Sequence, residues 1–150
     1  MIIGVIGGHD CSPETANIAR EVGKEIAGLG AYLVCGGLGG VMEEAAKGAK
    51  GAGGTTIGIL PGKDKKSANP YIDISIVTGL SYARNVLVVS TSDVIIALPG
   101  KYGTLSEIGF ALNIGKCVIS LNSWDIPGII KVKNAREAIR KAKEVLEKNA

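Results

Sequence analysis

The chain has 150 residues and a mass of 15.4 kDa, the size of one domain that buries roughly two thirds of its unfolded surface. Hydrophobic residues make up 46%, aromatic residues only 4%, and there are 22 glycines, so small and branched aliphatic side chains must build the core. This composition favours an α/β domain over an antiparallel sandwich. The net charge of +3 is not gathered into a basic stripe with interleaved aromatics, which argues against a nucleic-acid partner.

The cysteine pattern and the apolar runs indicate a cytoplasmic protein without a membrane partner. Cys11, Cys35 and Cys117 are odd in number, and the last two lie in apolar runs, so we expect free thiols in a reducing compartment. The apolar start, MIIGVIGG, has no basic segment and is too short for a signal-peptide core. No apolar run approaches the ~18 residues of a membrane-spanning helix.

Short apolar runs, glycine loops and amphipathic segments alternate from the beginning of the chain. The first unit is a buried strand over residues 2–6, the loop Gly7-Gly8, and a helix that Ser12 caps and Gly30 ends. The second unit is a strand over residues 32–35 and a helix over residues 41–51. The loop between them contains Gly36, Gly37, Gly39 and Gly40.

The rest of the chain continues the alternation. A third strand over residues 55–60 leads into a polar segment, residues 61–70, that indicates a surface loop. Further strands are predicted over residues 72–77, 93–98, 118–121 and 129–132, with helices over residues 81–90, from the 99–103 loop to residue 115, and after the N-cap Asn134, which forms a capping box with Glu137. The pattern predicts one Rossmann-like domain over residues 1–150, with a doubly wound, mainly parallel sheet and right-handed crossovers.

The place in the sheet of the strand near Ile74 stays open, because no helix connects it to the strand before.

The ligand site is predicted at one edge of the sheet. In doubly wound sheets, ligands bind beyond the carboxyl ends of the strands, where this chain has three glycine loops. The stretch from Asp93 to Glu107, DVIIALPGKYGTLSE, reads as strand, tight loop and helix. The free N–H groups and the dipole at such a helix start form an anion site, and phosphate is the usual anion.

Three motifs carry a resemblance to a known family: CGGLGGVMEEAAKGAKGAGGTTIGILPG (residues 35–62), ARN (residues 83–85) and PGKYGTLSE (residues 99–107). Together they resemble the Lonely Guy or "lysine decarboxylase-like" family, whose signature is PGGxGTxxE. The resemblance runs to about residue 121. The decarboxylase name is regarded as a misnomer, and this sequence offers no pyridoxal phosphate site.

The resemblance implies one of two activities. Lonely Guy enzymes hydrolyse the N-glycosidic bond of nucleoside 5′-monophosphates, and they usually carry lysine after the motif arginine and serine after the first-loop glycine. This chain has Arg84-Asn85, Gly8-His9 and Lys101 in place of the second motif glycine. These features are more similar to the branch that contains molybdenum cofactor carrier proteins, which bind a phosphorylated pterin.

The resemblance also implies site residues. For an enzyme, Glu107 and Arg84 would be catalytic, Glu107 by orienting water or stabilising an oxocarbenium-like ribosyl centre. No metal and no required cofactor are expected; the ligand would be a nucleotide or a molybdopterin-type cofactor. The implied ligand- and phosphate-binding residues are Gly7, Gly8, Gly36, Gly37, Gly39, Gly40, Arg84, Asn85, Pro99, Gly100, Lys101, Tyr102, Gly103 and Thr104.

Several of these candidate site residues also have a purely structural explanation. Thr104 and Glu107 also have the spacing of a capping box, so Glu107 could hold the helix start, either alone or in addition to acting on a ligand. Arg84 would bind the phosphate or ribose of the ligand or pair with Glu107, and its structural alternative is a surface helix arginine in a local ion pair. His9, Asp10 and Cys11 are consecutive and cannot easily converge on one metal ion; they indicate a loop that lines the pocket or a turn before the helix.

The sequence favours a binder of a small phosphorylated heterocycle. The alternative is a phosphoribohydrolase on purine or cytokinin nucleoside 5′-monophosphates. A DNA-handling Rossmann protein of the DprA-like group is a third possibility, without support from a basic stripe. The resemblance implies a homodimer or higher homo-oligomer, with the helices over residues 81–90 and 104–114 near the interface and an apolar exposed face as its sign.

Overall fold

The structure is a computed structural model that describes all 150 residues, with seven strands and five α-helices. The strands are β1 (Ile2–Ile6), β2 (Tyr32–Cys35), β3 (Thr56–Leu60), β4 (Ile74–Val77), β5 (Val94–Ala97), β6 (Val118–Ser120) and β7 (Ile130–Lys131). The helices are α1 (Pro13–Gly28), α2 (Val41–Gly51), α3 (Arg84–Thr91), α4 (Tyr102–Asn113) and α5 (Ala135–Lys148), with short 3-10 helices at Lys65–Ser67 and Ser81–Ala83.

The seven strands form one sheet in the order β4-β3-β2-β1-β5-β6-β7, and every neighbouring pair is parallel. The predicted doubly wound α/β fold is therefore confirmed, and the sheet is wholly rather than mainly parallel. The chain runs outward from β1 to β4 and then returns to place β5 on the other side of β1. The switch point lies between β1 and β5, where such sheets bind ligands.

The strand near Ile74, whose place the sequence left open, is the edge strand β4. It pairs with β3 in parallel, with Ile74 opposite Ile57. The connection between them contains only a 3-10 helix, and Asn69 holds it in place. The side-chain amide of Asn69 donates to the carbonyl of Leu38 at 2.8 Å, so the polar segment is tied to the glycine loop after β2.

Both faces of the sheet are buried. Helices α1, α2 and α5 pack on one face of the sheet in a core cluster of 22 buried residues, and α3 and α4 pack on the other in a cluster of 10, with strand residues in both clusters. This explains the continuous apolar runs, because a strand covered on both sides needs apolar residues at every position. None of the helices combines the length and apolar character that a bilayer crossing requires.

The predicted helix ends are confirmed at three places. The Ser12 hydroxyl accepts from the Thr15 N–H at 3.1 Å, and Gly30 follows α1 in the left-handed region with φ 75°. Asn134 caps α5 by accepting from the Glu137 N–H at 2.9 Å. The sequence signals for caps were therefore sufficient at α1 and α5.

Helices α1 and α2 pack closely because each contributes a glycine to the contact. A Cβ atom on Gly23 would lie 1.9 Å from the carbonyl oxygen of Ala45, and one on Gly48 would lie 2.0 Å from that of Arg20. Neither distance is possible for real atoms, and the obstacle is backbone on both sides. The contact therefore depends on glycine at both positions.

We predict that Gly23→Ala lowers the free energy of unfolding by about 1–3 kcal/mol, because α1 and α2 must separate to admit the methyl group. Gly28→Ala is the matched control on the same helix, since a Cβ there meets no atom within 4 Å. The control should be neutral or stabilising by up to ~1 kcal/mol. Urea denaturation of both variants measures the difference, and equal stabilities would contradict the packing argument.

Candidate ligand-binding site

A cavity of about 490 Å³ opens at the carboxyl edge of the sheet, across the switch point between β1 and β5. That volume is in the range of sites for nucleotides and other small ligands. The loops after β1, β2 and β5 form its walls, as the three glycine loops in the sequence predicted. It is lined by ten of the predicted site residues: Gly7, Gly8, Gly36, Arg84, Asn85, Gly100, Lys101, Gly103, Thr104 and Glu107.

Five predicted residues lie outside this lining: Gly37, Gly39, Gly40, Pro99 and Tyr102. Three of them support the walls instead. A Cβ on Gly40 would lie 2.3 Å from the carbonyl oxygen of Gly8, so glycine lets the first two loops touch. The Pro99 carbonyl accepts from the Gly8 N–H at 2.9 Å, and the Tyr102 ring stacks on Trp124. Direct ligand contacts by these five residues stay predictions.

The cavity also has walls that the site motifs did not indicate. Tyr82 is 84% exposed at its edge, and Ser81 before it has a φ of 54°, which is rare for a residue other than glycine. His9 and Asp10 line the cavity, as expected of a pocket loop, whereas Cys11 does not. The unforeseen lining residues are Val5, Ile6, Leu38, Met42, Pro61, Ser81 and Tyr82.

The predicted capping box between Thr104 and Glu107 is wrong. Helix α4 begins at Tyr102, two residues earlier, so Lys101 is the N-cap and Thr104 already lies inside the first turn. No side chain caps this helix, and the N–H groups of a first turn have no acceptor within the helix. The early start thus leaves both the Thr104 hydroxyl and the Glu107 carboxyl without a capping role.

Thr104, in the first turn of α4, is one of the polar residues that line the cavity. It is only 3% exposed, yet its hydroxyl forms no hydrogen bond within the protein. Gly100 is held against it, because a Cβ at position 100 would lie 2.0 Å from the Thr104 hydroxyl oxygen. A hydroxyl without a protein partner and free N–H groups at a helix start together favour an anionic ligand.

Arg84 is not the surface arginine of the structural alternative, because it is only 7% exposed. Its Nε donates to the carbonyl of Ile59 at 2.9 Å, and a terminal nitrogen donates to the Asn85 side chain. Burial lowers the pKa of the guanidinium, an effect that the charge of Glu107 partly offsets. A Cβ on Gly36 would lie 2.8 Å from Arg84 Nη2, so glycine there leaves room for the guanidinium.

Glu107 lines the same cavity without a hydrogen bond or an ion pair. Burial raises the pKa of its carboxyl to about 7, although the positive charge of Arg84 acts in the opposite direction. The predicted direct pair with Arg84 is wrong, since the two side chains do not meet within ion-pair distance. The carboxyl group can therefore exchange a proton near neutral pH, which suits general acid–base chemistry.

Fold and site together define a Rossmann-like domain with an uncapped helix start beside a cavity at the switch point of a parallel sheet. The chain belongs to the SLOG cluster4 family, whose sequence model matches residues 1–149. The resemblance to the Lonely Guy family is thereby confirmed. An uncharacterized protein of Archaeoglobus fulgidus is 53% identical over 121 residues, which span 81% of this chain and 80% of that protein.

Similar proteins fall into both predicted branches. The cytokinin riboside 5′-monophosphate phosphoribohydrolase of Mycobacterium tuberculosis is 35% identical over 121 residues, spanning 74% of this chain but only 64% of the enzyme. The molybdenum cofactor binding protein of Rippkaea orientalis superposes with a TM-score of 0.92 and 39% identity, covering 97% of this chain and 96% of that one. The molybdenum cofactor carrier protein of Chlamydomonas reinhardtii has a TM-score of 0.89 and 38% identity, with coverages of 97% and 98%.

The raised pKa of Glu107 predicts a pH-dependent stability. The pKa is about 7 in the folded protein against the usual 4.5, so the folded state holds the proton more tightly than the unfolded chain. The free energy of unfolding should therefore fall as the pH rises between these two values. Glutamine does not ionise, so the free energy of unfolding of Glu107→Gln should not fall in this way. It should rise relative to that of the wild type as the pH increases over that interval.

Urea denaturation of the wild type and Glu107→Gln between pH 4 and pH 8 measures the effect. The difference in free energy of unfolding should grow up to a pH of about 7 and then level off. A difference that stays constant across the range would show that the carboxyl titrates at its ordinary pKa.

Proposed function

We propose that this protein binds a small phosphorylated heterocycle, either a nucleoside 5′-monophosphate or a molybdopterin-type cofactor. Thr104 carries the proposal, because this largely buried residue lines the cavity from the uncapped first turn of α4 and its hydroxyl has no partner in the protein. A phosphate oxygen would accept from this hydroxyl and from the first-turn N–H groups. Lys101, at the cavity wall, would add a positive charge.

The rest of the cavity fits the ring of such a ligand. Val5, Ile6, Leu38 and Met42 provide apolar surface, and the exposed ring of Tyr82 offers a face on which a planar heterocycle could stack. A phosphorylated pterin needs the same combination of anion site and apolar wall. The near-complete superposition on two proteins described as molybdenum cofactor binding or carrier proteins supports this choice of ligand class.

The first experiment titrates the protein with AMP and follows its thermal unfolding. Wild type should be stabilised in proportion to ligand binding. Thr104→Val keeps the shape of the side chain but removes the hydroxyl, so it should weaken AMP binding about tenfold, the effect of one hydrogen bond to a charged group. Ser106→Ala is the control, because that serine does not line the main cavity and its hydroxyl donates to the Gly103 carbonyl. Equal affinities in all three proteins would contradict the phosphate site.

The second candidate function is hydrolysis of the N-glycosidic bond of purine or cytokinin nucleoside 5′-monophosphates. The observation that favours it is Glu107, an unpaired carboxyl with a pKa of about 7 in the cavity that also contains Arg84. With the phosphate at α4, the ionised carboxylate would orient water or stabilise positive charge at the ribose. Arg84 would hold the phosphate or the ribose, since its anchored guanidinium cannot turn away.

Incubation with AMP and a panel of nucleoside monophosphates separates the two functions by the release of free base. If the protein is a hydrolase, wild type releases base and Glu107→Gln loses this activity while still binding AMP, because glutamine keeps the size of the side chain. AMP binding without any release by the wild type would dismiss the hydrolase and leave the binder.

We also propose that the protein forms a homo-oligomer. An apolar exposed face on α3 or α4 is the feature that such an interface would require. Val86 and Leu87 on α3 are exposed, as is Ile114 at the end of α4. These side chains support a homo-oligomer that covers the side of the sheet on which α3 and α4 pack.

A further inference from the structure

Arg84 is a buried cation without a counter-ion in the main cavity. It is only 7% exposed, and no carboxylate lies within ion-pair distance of its guanidinium. A buried charge is costly unless hydrogen bonds or an opposite charge compensate for it. Its Nε donates to the Ile59 carbonyl at 2.9 Å and its Nη1 donates to Asn85, but Nη2 forms no hydrogen bond within the protein. The guanidinium is therefore fixed in place with donor groups left over.

The bond between Arg84 and Asn85 decides which half of the Asn85 amide stays free. A guanidinium only donates hydrogen bonds, so the atom that it contacts must be the carbonyl oxygen, Oδ1. The NH₂ group of the same amide is then the free half, and it forms no hydrogen bond within the protein. Asn85 lines the cavity, so its amide adds two N–H donors to those of Arg84.

Both of these nitrogens are accessible. Among the buried and half-buried residues, the Ser123 hydroxyl is the only side-chain polar atom that lacks both a partner and accessible surface. Arg84 Nη2 and Asn85 Nδ2 lack a partner, so each must have accessible surface, and both residues line the main cavity. Gly36, another lining residue, leaves Nη2 uncovered, because a Cβ there would lie 2.8 Å from it. The pair thus offers free donors, while its one acceptor oxygen is engaged by Arg84.

The charges in the cavity decide which kind of acceptor suits these donors. The charged side chains of the lining are two cations and two acids: Arg84, Lys101, Asp10 and Glu107. A phosphate at α4 would add between about one and two further negative charges. A second anion at Arg84 would also meet Glu107, since the charges of these two residues act on each other. A neutral acceptor, such as a carbonyl group of a ring, uses the donors without adding charge.

We propose that Arg84 and Asn85 recognise a carbonyl group on the heterocycle, so that the protein prefers 6-oxopurine nucleotides to 6-aminopurine nucleotides. The proposal rests on the proposed function, because the phosphate at Thr104 leaves the ring to meet the Arg84 side of the cavity. The carbonyl oxygen and neighbouring nitrogen of a 6-oxopurine are both acceptors, which suits the fork of a guanidinium. The amino group of adenine is a donor and would face donors.

Calorimetric titration with IMP and with AMP tests the preference, because the two nucleotides share ribose and phosphate and differ in the group at position 6 of the purine. Wild type should bind IMP at least about tenfold more tightly than AMP, the effect of one hydrogen bond to a charged group. Asn85→Asp keeps an oxygen that accepts from Arg84 but replaces the amide donors with an acceptor. It should lose the preference for IMP, because the adenine amino group can donate to the new carboxylate.

Two further variants make the comparison specific. Asn85→Ala adds no charge and removes the amide, so it should also lower the preference for IMP. Thr104→Val is the control at the phosphate end of the cavity. It should weaken the binding of both nucleotides equally and keep their ratio. Thermal unfolding without ligand checks that all three variants are folded.

The possible failures separate this inference from the phosphate site. Equal affinities of the wild type for IMP and AMP would overturn the inference and leave the phosphate site standing. A full preference for IMP in both Asn85 variants would overturn the assignment of the carbonyl to this pair of residues. Failure of the wild type to bind either nucleotide, or unchanged affinities in Thr104→Val, would remove the proposed phosphate site and this inference with it.

Discussion

The peptide groups of Gly8 join the three loops on which the site depends. The Gly8 N–H donates to the Pro99 carbonyl at 2.9 Å, and the Gly8 carbonyl accepts from the Val41 N–H at 3.0 Å. These two bonds connect the carboxyl ends of β1 and β5 and the start of α2. Because both bonds join backbone groups, they hold the three loops together without the side chains that line the cavity.

The polar groups of the cavity are accordingly anchored by the backbone or left unpaired. Arg84 is held by the carbonyl of Ile59 and by its neighbour Asn85, whereas Thr104 and Glu107 have no partner. Burial without a partner costs stability, as the raised pKa of Glu107 shows. Buried polar groups without a hydrogen-bond partner in the protein are typical of binding and catalytic sites, where the ligand supplies the partner.

Local sequence patterns predicted the fold well, because a parallel strand that is covered on both faces must be apolar along its whole length. The bounds of β1, β2 and α2 agree with the predicted ones, since each is an apolar or alanine-rich run with a glycine loop at one end. The start of α4 was misplaced because Thr104 fits a capping box as well as an interior position. The edge position of β4 depends on pairing with β3 across a long connection, which no local pattern encodes.

The site was predictable where a glycine or a motif residue marks a loop, and not elsewhere. Ten of the predicted residues line the main cavity, whereas Tyr82 and the apolar walls come from neighbouring strands and loops. Tyr82 gave no signal, because one tyrosine before the motif arginine is ordinary until the cavity beside it is known.

The position of Arg84 as the first residue of α3 has a mechanical consequence. Its guanidinium is bonded to β3, while the outer face of the same short helix presents Val86 and Leu87 to solvent. A displacement of α3 relative to β3 would therefore strain the bond that holds the guanidinium in the cavity. For the proposed ligand, a contact on that outer face that favours one position of α3 would be thermodynamically linked to affinity, equally in both directions.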